Sequence, residues 1–158
     1  MTAAHPFDLA SHPLTNWTGE IGLPEFERIG DDDFAPAFAA ALDAHSAEIE
    51  AIAGNPDEPT IENTLSAFEL AGKPLGNVSA LFWARAGAHT NETIQALERG
   101  IAPKMSRHFS AIYMNDRLFS RIDSLYARRA ELGLDAETLR VLEKTWKRFV
   151  RAGAKLGK

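Results

Sequence analysis

Five stretches of the sequence space their apolar residues three or four positions apart, and turn-forming residues separate each stretch from the next. This spacing places the apolar side chains on one face of an α-helix, and no stretch shows the alternation that is typical of a β-strand. Short connections between helices make neighbouring helices antiparallel. The sequence therefore predicts an all-α fold, an antiparallel bundle of about five helices over residues 31–158, which follows an extended N-terminal arm over residues 1–30.

The apolar faces of these stretches form the predicted core. Aromatic residues at helical spacing are assigned to this core as well, because a helical bundle needs large side chains in its interior. In chain order, the five faces consist of Phe34, Phe38, Leu42, His45, Ile49 and Ile52; Ile61, Leu65, Phe68, Leu75, Val78, Leu81 and Phe82; Ile94, Leu97, Ile101, Met105, Phe109 and Ile112; Leu118, Phe119, Ile122, Leu125 and Tyr126; and Leu139, Leu142, Trp146, Phe149 and Val150.

Short polar residues mark the predicted helix starts, because their side-chain oxygens accept hydrogen bonds from the free N–H groups of a first turn. Turn-forming residues at 54–59 end the first helix, and Gly133 is predicted to end the fourth in a left-handed conformation. The last helix has no Pro or Asn stop, so it is predicted to lack a defined end and the chain to be a piece of a longer protein. The predicted caps are Asp31 to Asp33, Thr60, Thr90 or Asn91, Asn115 and Asp135.

Two prolines lie inside helical patterns. A proline in a helix interior removes one hydrogen bond and clashes with the preceding turn. Pro103 is therefore predicted to bend the third helix. At Gly72 to Pro74, either one kinked helix or two short ones fit the pattern, and the kinked helix over residues 60–88 is preferred.

The arm holds much apolar surface without any helical period. Gly19, Gly22 and Pro24 disfavour a helix there. The arm is predicted to lie along an apolar groove of the bundle. Its predicted anchors are Trp17, Ile21, Leu23, Phe26 and Ile29.

The composition is that of an ordinary globular protein, with 45% hydrophobic and 25% charged residues. The chain has no cysteine, which suits a reducing compartment. No basic start precedes an apolar run at the N-terminus, and no run is long enough to span a membrane. These features predict a cytoplasmic protein with no signal peptide and no membrane partner.

Charge is divided unevenly along the chain. Residues 1–98 carry a net charge of −13, and residues 99–158 carry +8. A basic segment with aromatic residues is one mark of nucleic-acid binding. Here the aromatic residues have core spacing and acidic residues interrupt the basic ones, so no nucleic-acid partner is predicted. The basic residues concerned are Lys144, Lys147, Arg148, Arg151 and Lys155.

Two histidines have a carboxylate three positions later, a spacing at which helical side chains share a metal ion: His45 with Glu48, and His89 with Glu92. A zinc site needs three or four ligands, and no third one follows from the spacing. Asp31, Asp32 and Asp33 are assigned to helix capping, not to catalysis. No catalytic, cofactor-binding or metal-binding residue is predicted in this chain.

Four segments carry a family resemblance: PLTNWTGEIGLPEFERI, FAPAFAAAL, PTIENTLSAFELAG and AHTNETIQALERGIAPKMSRHFSAIYMNDRLFSRI. The chain resembles the N-terminal region of thimet-oligopeptidase-like zinc metallopeptidases, in particular the bacterial peptidyl-dipeptidase and oligopeptidase A branch. The similarity runs from about Pro13 to Ala154. It is strongest at LTNW, GLPEF, PAF, ENTL and APK, none of which is a catalytic motif.

The resemblance implies a large helical peptidase in which this region forms one wall of a channel for short peptide substrates. The catalytic zinc, its HExxH helix and a third glutamate ligand belong to a later part of such a protein. The resemblance therefore implies that zinc is a cofactor of the parent protein, that the remainder of the parent is the partner, and that this chain alone is inactive.

Two departures from the family pattern stand out. Relatives often have histidine where this chain has Asp33, and they tend to continue the second helix through the region of Gly72 to Pro74. A free-standing helical domain that binds another protein remains the alternative. An excised domain is expected to expose an apolar patch or to self-associate.

Overall fold

The structure, a computed structural model, describes residues 7–154, and every regular element in that range is helical. Three 3₁₀ turns, Glu20–Gly22, Phe26–Arg28 and Asp31–Asp33, precede the first α-helix, and a π-helical turn, Ile61–Ser66, leads directly into the second. The all-α prediction with about five helices is confirmed, since five of the six α-helices have at least 12 residues. The α-helices are α1 (Phe34–Ala53), α2 (Ala67–Leu70), α3 (Lys73–Ala88), α4 (Glu92–Tyr113), α5 (Asp116–Ala127) and α6 (Ala136–Arg151).

Side-chain oxygens cap the helical segments at the predicted positions. Each oxygen accepts a hydrogen bond from a backbone N–H of the first turn, which satisfies a donor that has no partner within the helix. The distances lie between 2.9 and 3.1 Å, and the acceptors are Thr60, Asn91, Asn115 and Asp135. At α1, the turn of Asp31–Asp33 precedes the helix, and the Asp33 carboxylate accepts from the Gly30 N–H at 2.7 Å.

The described residues form two compact units, each built from two chain segments. Unit 1 contains residues 7–46 and 72–105, and unit 2 contains residues 47–71 and 106–154. Each unit has its own apolar core. The predicted boundary between an arm and a helical domain at residue 30 stays a prediction, and residues 1–6 and 155–158 lie outside the described range.

Three phenylalanines form the centre of the core of unit 1. The rings of Phe34 and Phe38 both meet the ring of Phe82 edge-on, with centroids 5.2 and 5.3 Å apart. This arrangement brings the positive edge of one ring against the negative face of another. Aliphatic side chains complete the core, among them Leu14, Ile29, Leu75, Val78, Ile94 and Ile101.

Phe149 of α6 occupies the equivalent place in unit 2. Its ring lies 5.1 Å from that of Tyr113, 5.8 Å from that of Phe68 and 5.9 Å from that of Phe119. Helices that are far apart in the sequence therefore meet around one ring. The buried aliphatic residues of this core include Ile49, Ile52, Leu65, Ile112, Leu118, Ile122, Leu125 and Leu142.

The kinked helix predicted over residues 60–88 is wrong. Ala71 is extended, with ψ 150°, and Gly72 is left-handed, with φ 75°, so α2 and α3 are separate helices. Pro74 lies in the first turn of α3, where a missing N–H costs no intrahelical hydrogen bond. The glycine and proline that would kink a single helix therefore lie between two separate helices.

Two predicted helix ends also differ. Helix α5 ends at Ala127, and Gly133, with φ 60°, lies in the turns that follow. The prediction that the last helix lacks an end is wrong: Gly153 adopts φ 102°, and the N–H of Ala154 reaches the carbonyl of Phe149 at 3.1 Å. This is a Schellman motif, which glycine favours. Helix α4 continues through Pro103, and a bend there stays a prediction.

Several predicted core residues are exposed. Ile29 is buried and Trp17 is half-buried, but the other three predicted anchors of the arm, Ile21, Leu23 and Phe26, face solvent. Phe109 of α4 is exposed as well. The amide of Asn77 donates to the carbonyl oxygen of Thr15 at 2.9 Å and so fixes the early part of the arm within unit 1.

Candidate functional site

A groove of about 370 Å³ lies in unit 1 between the segment that enters α1 and the C-terminal half of α3. Its walls are mainly apolar, and this volume is within the range of small-molecule and side-chain pockets. Two basic side chains lie among the apolar ones. The lining residues are Phe26, Ile29, Phe34, Leu81, Ala84, Arg85, Ala88 and His89.

The sequence builds this groove by placing large and small side chains opposite each other. Ile29 and Phe34 are buried on one wall. On α3, Ala84 and Ala88 are one turn apart, and their short side chains leave space where larger ones would fill it. Phe26 stands at the edge of the groove and is largely exposed.

Arg85 joins the two walls. Its Nη1 donates to the carbonyl oxygen of Ile29 at 3.1 Å and to Oδ1 of Asp31 at 2.8 Å. Its guanidinium also lies 5.6 Å from the centroid of the Phe34 ring, within the range of a cation–π contact. One side chain of α3 therefore holds the turn that enters α1.

Asp31 has a second partner in the cap of α4. The amide of Asn91 donates to Oδ2 of Asp31 at 2.7 Å, while Oδ1 of the same amide accepts from the N–H of Ile94. The hydrogen bond from Asn91, together with Arg85, holds the pKa of the Asp31 carboxyl below its usual value because both partners favour the ionised form.

Replacing Asn91 by serine is expected to raise the pKa of Asp31 towards its usual value. Serine keeps a hydroxyl oxygen that caps α4 but has no amide to donate to Asp31. A carboxyl whose pKa is depressed by folding stabilises the fold above its unfolded pKa, and this contribution is lost as the pH falls through the folded pKa. The acid-side loss of stability is therefore expected to be smaller in Asn91→Ser.

The measurement is a pH titration of the Asp31 carboxyl carbon by NMR in the wild type, Asn91→Ser and Asn91→Asp. Asn91→Asp also keeps a capping oxygen but adds a negative charge, so it is expected to raise the pKa of Asp31 further. An unchanged titration of Asp31 in Asn91→Ser would mean that Asn91 does not set this pKa.

The groove is suited to holding an apolar side chain, with hydrogen-bonding groups at its edge. The lining residues include no Ser, Thr or Tyr, and His89 is the one histidine or carboxylate among them. Within residues 7–154, no three His, Asp or Glu side chains come together as metal ligands.

The two histidine pairs singled out by spacing fall in different surroundings. His45 is buried in α1 beside Gly72, whereas Glu48 on the same helix is exposed. His89 is exposed at the C-terminal end of α3, and Glu92 begins α4. Elsewhere, partial burial lowers the pKa of His108. His45 fits the interpretation as a core histidine.

The three consecutive aspartates have different surroundings. Asp31 pairs with Arg85, and Asp33 closes the turn before α1 while its other oxygen lies 3.8 Å from His12. Asp32 is exposed. Capping therefore accounts for Asp33, and an ion pair accounts for Asp31.

The basic side chains of α6 lie on its exposed face. Trp146, on the same helix, stacks on the ring of Tyr126 at 4.0 Å and donates to Oδ1 of Asp123 at 2.7 Å. Its ring is therefore occupied by a contact within unit 2. The described segments of unit 2, residues 47–71 and 106–154, contain twelve acidic and ten basic residues, so the basic face belongs to a unit that also carries at least as many acidic side chains.

Two arginines with structural roles have no signal in the sequence. Arg85 organises the groove, and Arg121 of α5 is buried in unit 2. Their partners are at least 54 positions away in the chain, and no local spacing joins residues over such distances.

Sequence comparison relates this helical chain to peptidases. It is similar to dipeptidyl carboxypeptidase of Escherichia coli (strain K12), with 38% identity over 156 residues and 99% of this chain covered. It is also similar to the dipeptidyl carboxypeptidase of Salmonella typhimurium (strain LT2), with 40% identity over 133 residues and 84% of this chain covered. The resemblance to thimet-oligopeptidase-like peptidyl-dipeptidases is thus confirmed.

The chain spans about a fifth of the length of these relatives, 22% of the first and 20% of the second. No protein-family model matches the sequence. Among the described residues, no helix is both long enough and apolar enough to cross a membrane.

Proposed function

We propose that this chain is the N-terminal helical part of a zinc metallopeptidase that cleaves short peptides, and that it forms part of the wall of the substrate channel. The observation that carries the proposal is the 38% identity over 156 residues to a dipeptidyl carboxypeptidase. An all-α fold with an apolar groove is suited to a wall that contacts peptide side chains. The proposed location is the cytoplasm.

In this proposal the remainder of the peptidase supplies the chemistry. The ligand residues of a zinc site are not brought together within residues 7–154, so these residues do not fit the metal. The proposed zinc site would lie in the remainder and would supply the activation of water for peptide hydrolysis. The residues of this chain bind and orient peptide and exclude water from part of the channel, and the chain alone is inactive.

The alternative is a free-standing helical domain that binds another protein. The observation that favours it is the exposure of three large apolar side chains in one loop, at Ile21, Leu23 and Phe26. The two functions differ in whether the protein contains a catalytic part.

The test is to determine the coding sequence beyond codon 158 and to assay the complete protein. The proposal expects an HExxH motif downstream and cleavage of a quenched peptide that has a free C-terminus. The matched substrate has an amidated C-terminus, which a peptidyl-dipeptidase is expected to cleave poorly, and a chelator should abolish the activity. The 158-residue chain serves as the negative control. A stop codon directly after Lys158, or a complete protein without peptidase activity, would contradict the proposal.

A further inference from the structure

Residues 19–28, which we call the Ile21 loop, expose three large apolar side chains. Ile21 is 95% exposed, Leu23 50% and Phe26 56%. Single exposed apolar residues are common on protein surfaces, but three in one short loop mark a binding surface. None of these three side chains belongs to the core of unit 1.

Backbone hydrogen bonds hold the shape of the loop. The N–H of Gly19 donates to the carbonyl oxygen of Leu23 at 2.9 Å, and the N–H of Leu23 donates to that of Glu20 at 3.1 Å. A Cβ on Gly19 would lie 2.5 Å from the carbonyl oxygen of Leu23, so glycine is required for this closure. Backbone hydrogen bonds therefore close the loop while Ile21, Leu23 and Phe26 stay exposed.

Ile21 has a strained backbone. Its φ is 53°, in the left-handed region that β-branched residues rarely adopt. Asparagine or aspartate would be the better choice for the conformation of the loop alone. Residues with strained backbone conformations cluster at binding sites. A contact outside unit 1 therefore explains why an isoleucine that is both strained and almost fully exposed is found here.

The charges around the loop indicate the chemistry of its partner. Glu20 and Glu27 are exposed beside the apolar residues, and Glu25 pairs with Arg28. An acidic border disfavours an anionic membrane surface and favours an apolar protein surface with basic residues around it.

We propose that the Ile21 loop docks on the remainder of the peptidase chain, with Ile21, Leu23 and Phe26 buried in an apolar surface that has a basic border. This inference rests on the proposed function. We choose the remainder of the chain as the partner because the relatives are about five times as long as this chain. A protein of that length has further surface on which the loop can dock. A second copy of the chain is the competing partner.

Hydroxyl-radical footprinting of the 158-residue chain and of the complete protein tests the proposal. Ile21, Leu23 and Phe26 are expected to react freely in the short chain and to be protected in the complete protein. Leu70, which is 77% exposed in unit 2, and the buried Ile29 serve as reactive and unreactive references. Equal reactivity of the loop in both proteins would overturn the proposal. Protection that grows with the concentration of the short chain would assign the loop to self-association instead.

A variant gives a second readout. Ile21→Asn is expected to leave the melting temperature of the short chain unchanged or higher, because asparagine tolerates the left-handed conformation. In the complete protein it is expected to lower the melting temperature by several degrees, whereas Leu70→Asn should not. An unchanged melting temperature of the complete Ile21→Asn protein would count against docking. Peptidase activity of the unmodified complete protein reports separately on the proposed function, so the two proposals can fail independently.

Discussion

Replacing Arg121 by alanine is expected to lower the free energy of unfolding by about 4 kcal/mol, because it removes a buried cation that satisfies several polar groups. The side chain is only 7% exposed in α5. Its Nη1 donates to the carbonyl oxygens of Asn55 and Asp57 at 2.7 and 2.9 Å.

The other donors of Arg121 reach the π-helical turn. Nη2 donates to Oδ1 of Asn63 at 2.9 Å, and Nε donates to Oγ1 of Thr64 at 3.2 Å. All four acceptors are neutral, so the charge is stabilised by dipoles and not by a carboxylate. Alanine at this position would leave the acceptors without these bonds in a partly buried place, and this loss is the main source of the expected cost.

Arg117→Ala, on the same helix, is the matched control. Arg117 forms an ion pair with Glu50, but its side chain is 62% exposed, and surface pairs contribute about 1 kcal/mol or less. Urea denaturation followed by circular dichroism measures both variants. A loss below about 1 kcal/mol in Arg121→Ala would mean that water replaces the arginine at little cost. Arg121→Lys, which keeps the charge but not the fork of donors, is expected to lie between the wild type and alanine.

Replacing Gly72 by alanine is expected to cost about 2–4 kcal/mol, from backbone strain and from overlap with a buried ring. Gly72 has φ 75°, and a Cβ built there would lie 2.9 Å from three atoms of the His45 imidazole. Because His45 is buried, its ring has little room to move away.

Gly76→Ala is the control in the first part of α3. A Cβ on Gly76 meets no atom within 4 Å, and alanine has the higher helix propensity. This variant is therefore expected to gain about 0.5 kcal/mol. The two Gly→Ala changes, four residues apart, should shift the thermal midpoint in opposite directions.

A double-mutant cycle separates the two causes at Gly72. With the imidazole removed in His45→Ala, Gly72→Ala should cost about 1 kcal/mol less than in the wild type, because only the backbone strain remains. An equal cost in both backgrounds would show that contact with His45 is not part of the effect.

Local chemistry explains which parts of the fold were predictable. The caps at Thr60, Asn115 and Asp135 depend on side chains that bond within three residues, so the sequence contains the whole interaction. The apolar faces likewise follow from spacing within each helix. The break at Gly72 was not predictable in this way, because Pro74 fits a kink as well as a first turn, and only the left-handed φ of Gly72 separates the two.

Long-range contacts explain the rest. Phe109 has core spacing on α4, yet its side chain is exposed. Helical spacing alone therefore assigns it to the core wrongly. The apolar residues of the Ile21 loop predict an anchor, but apolarity alone does not identify the surface that buries a residue. The groove depends on Arg85 meeting Asp31, a contact across 54 positions that no motif encodes.

The interleaving of the two units has a consequence for the order of folding during synthesis. Residues 47–71 carry six acidic and no basic side chains, and they leave the ribosome before the segment that completes unit 2. Unit 1 becomes complete once residue 105 has emerged, whereas unit 2 must wait for residues 106–154. In a nascent chain of intermediate length, unit 1 is therefore able to fold, whereas the acidic residues 47–71 still lack the basic segment with which they form unit 2.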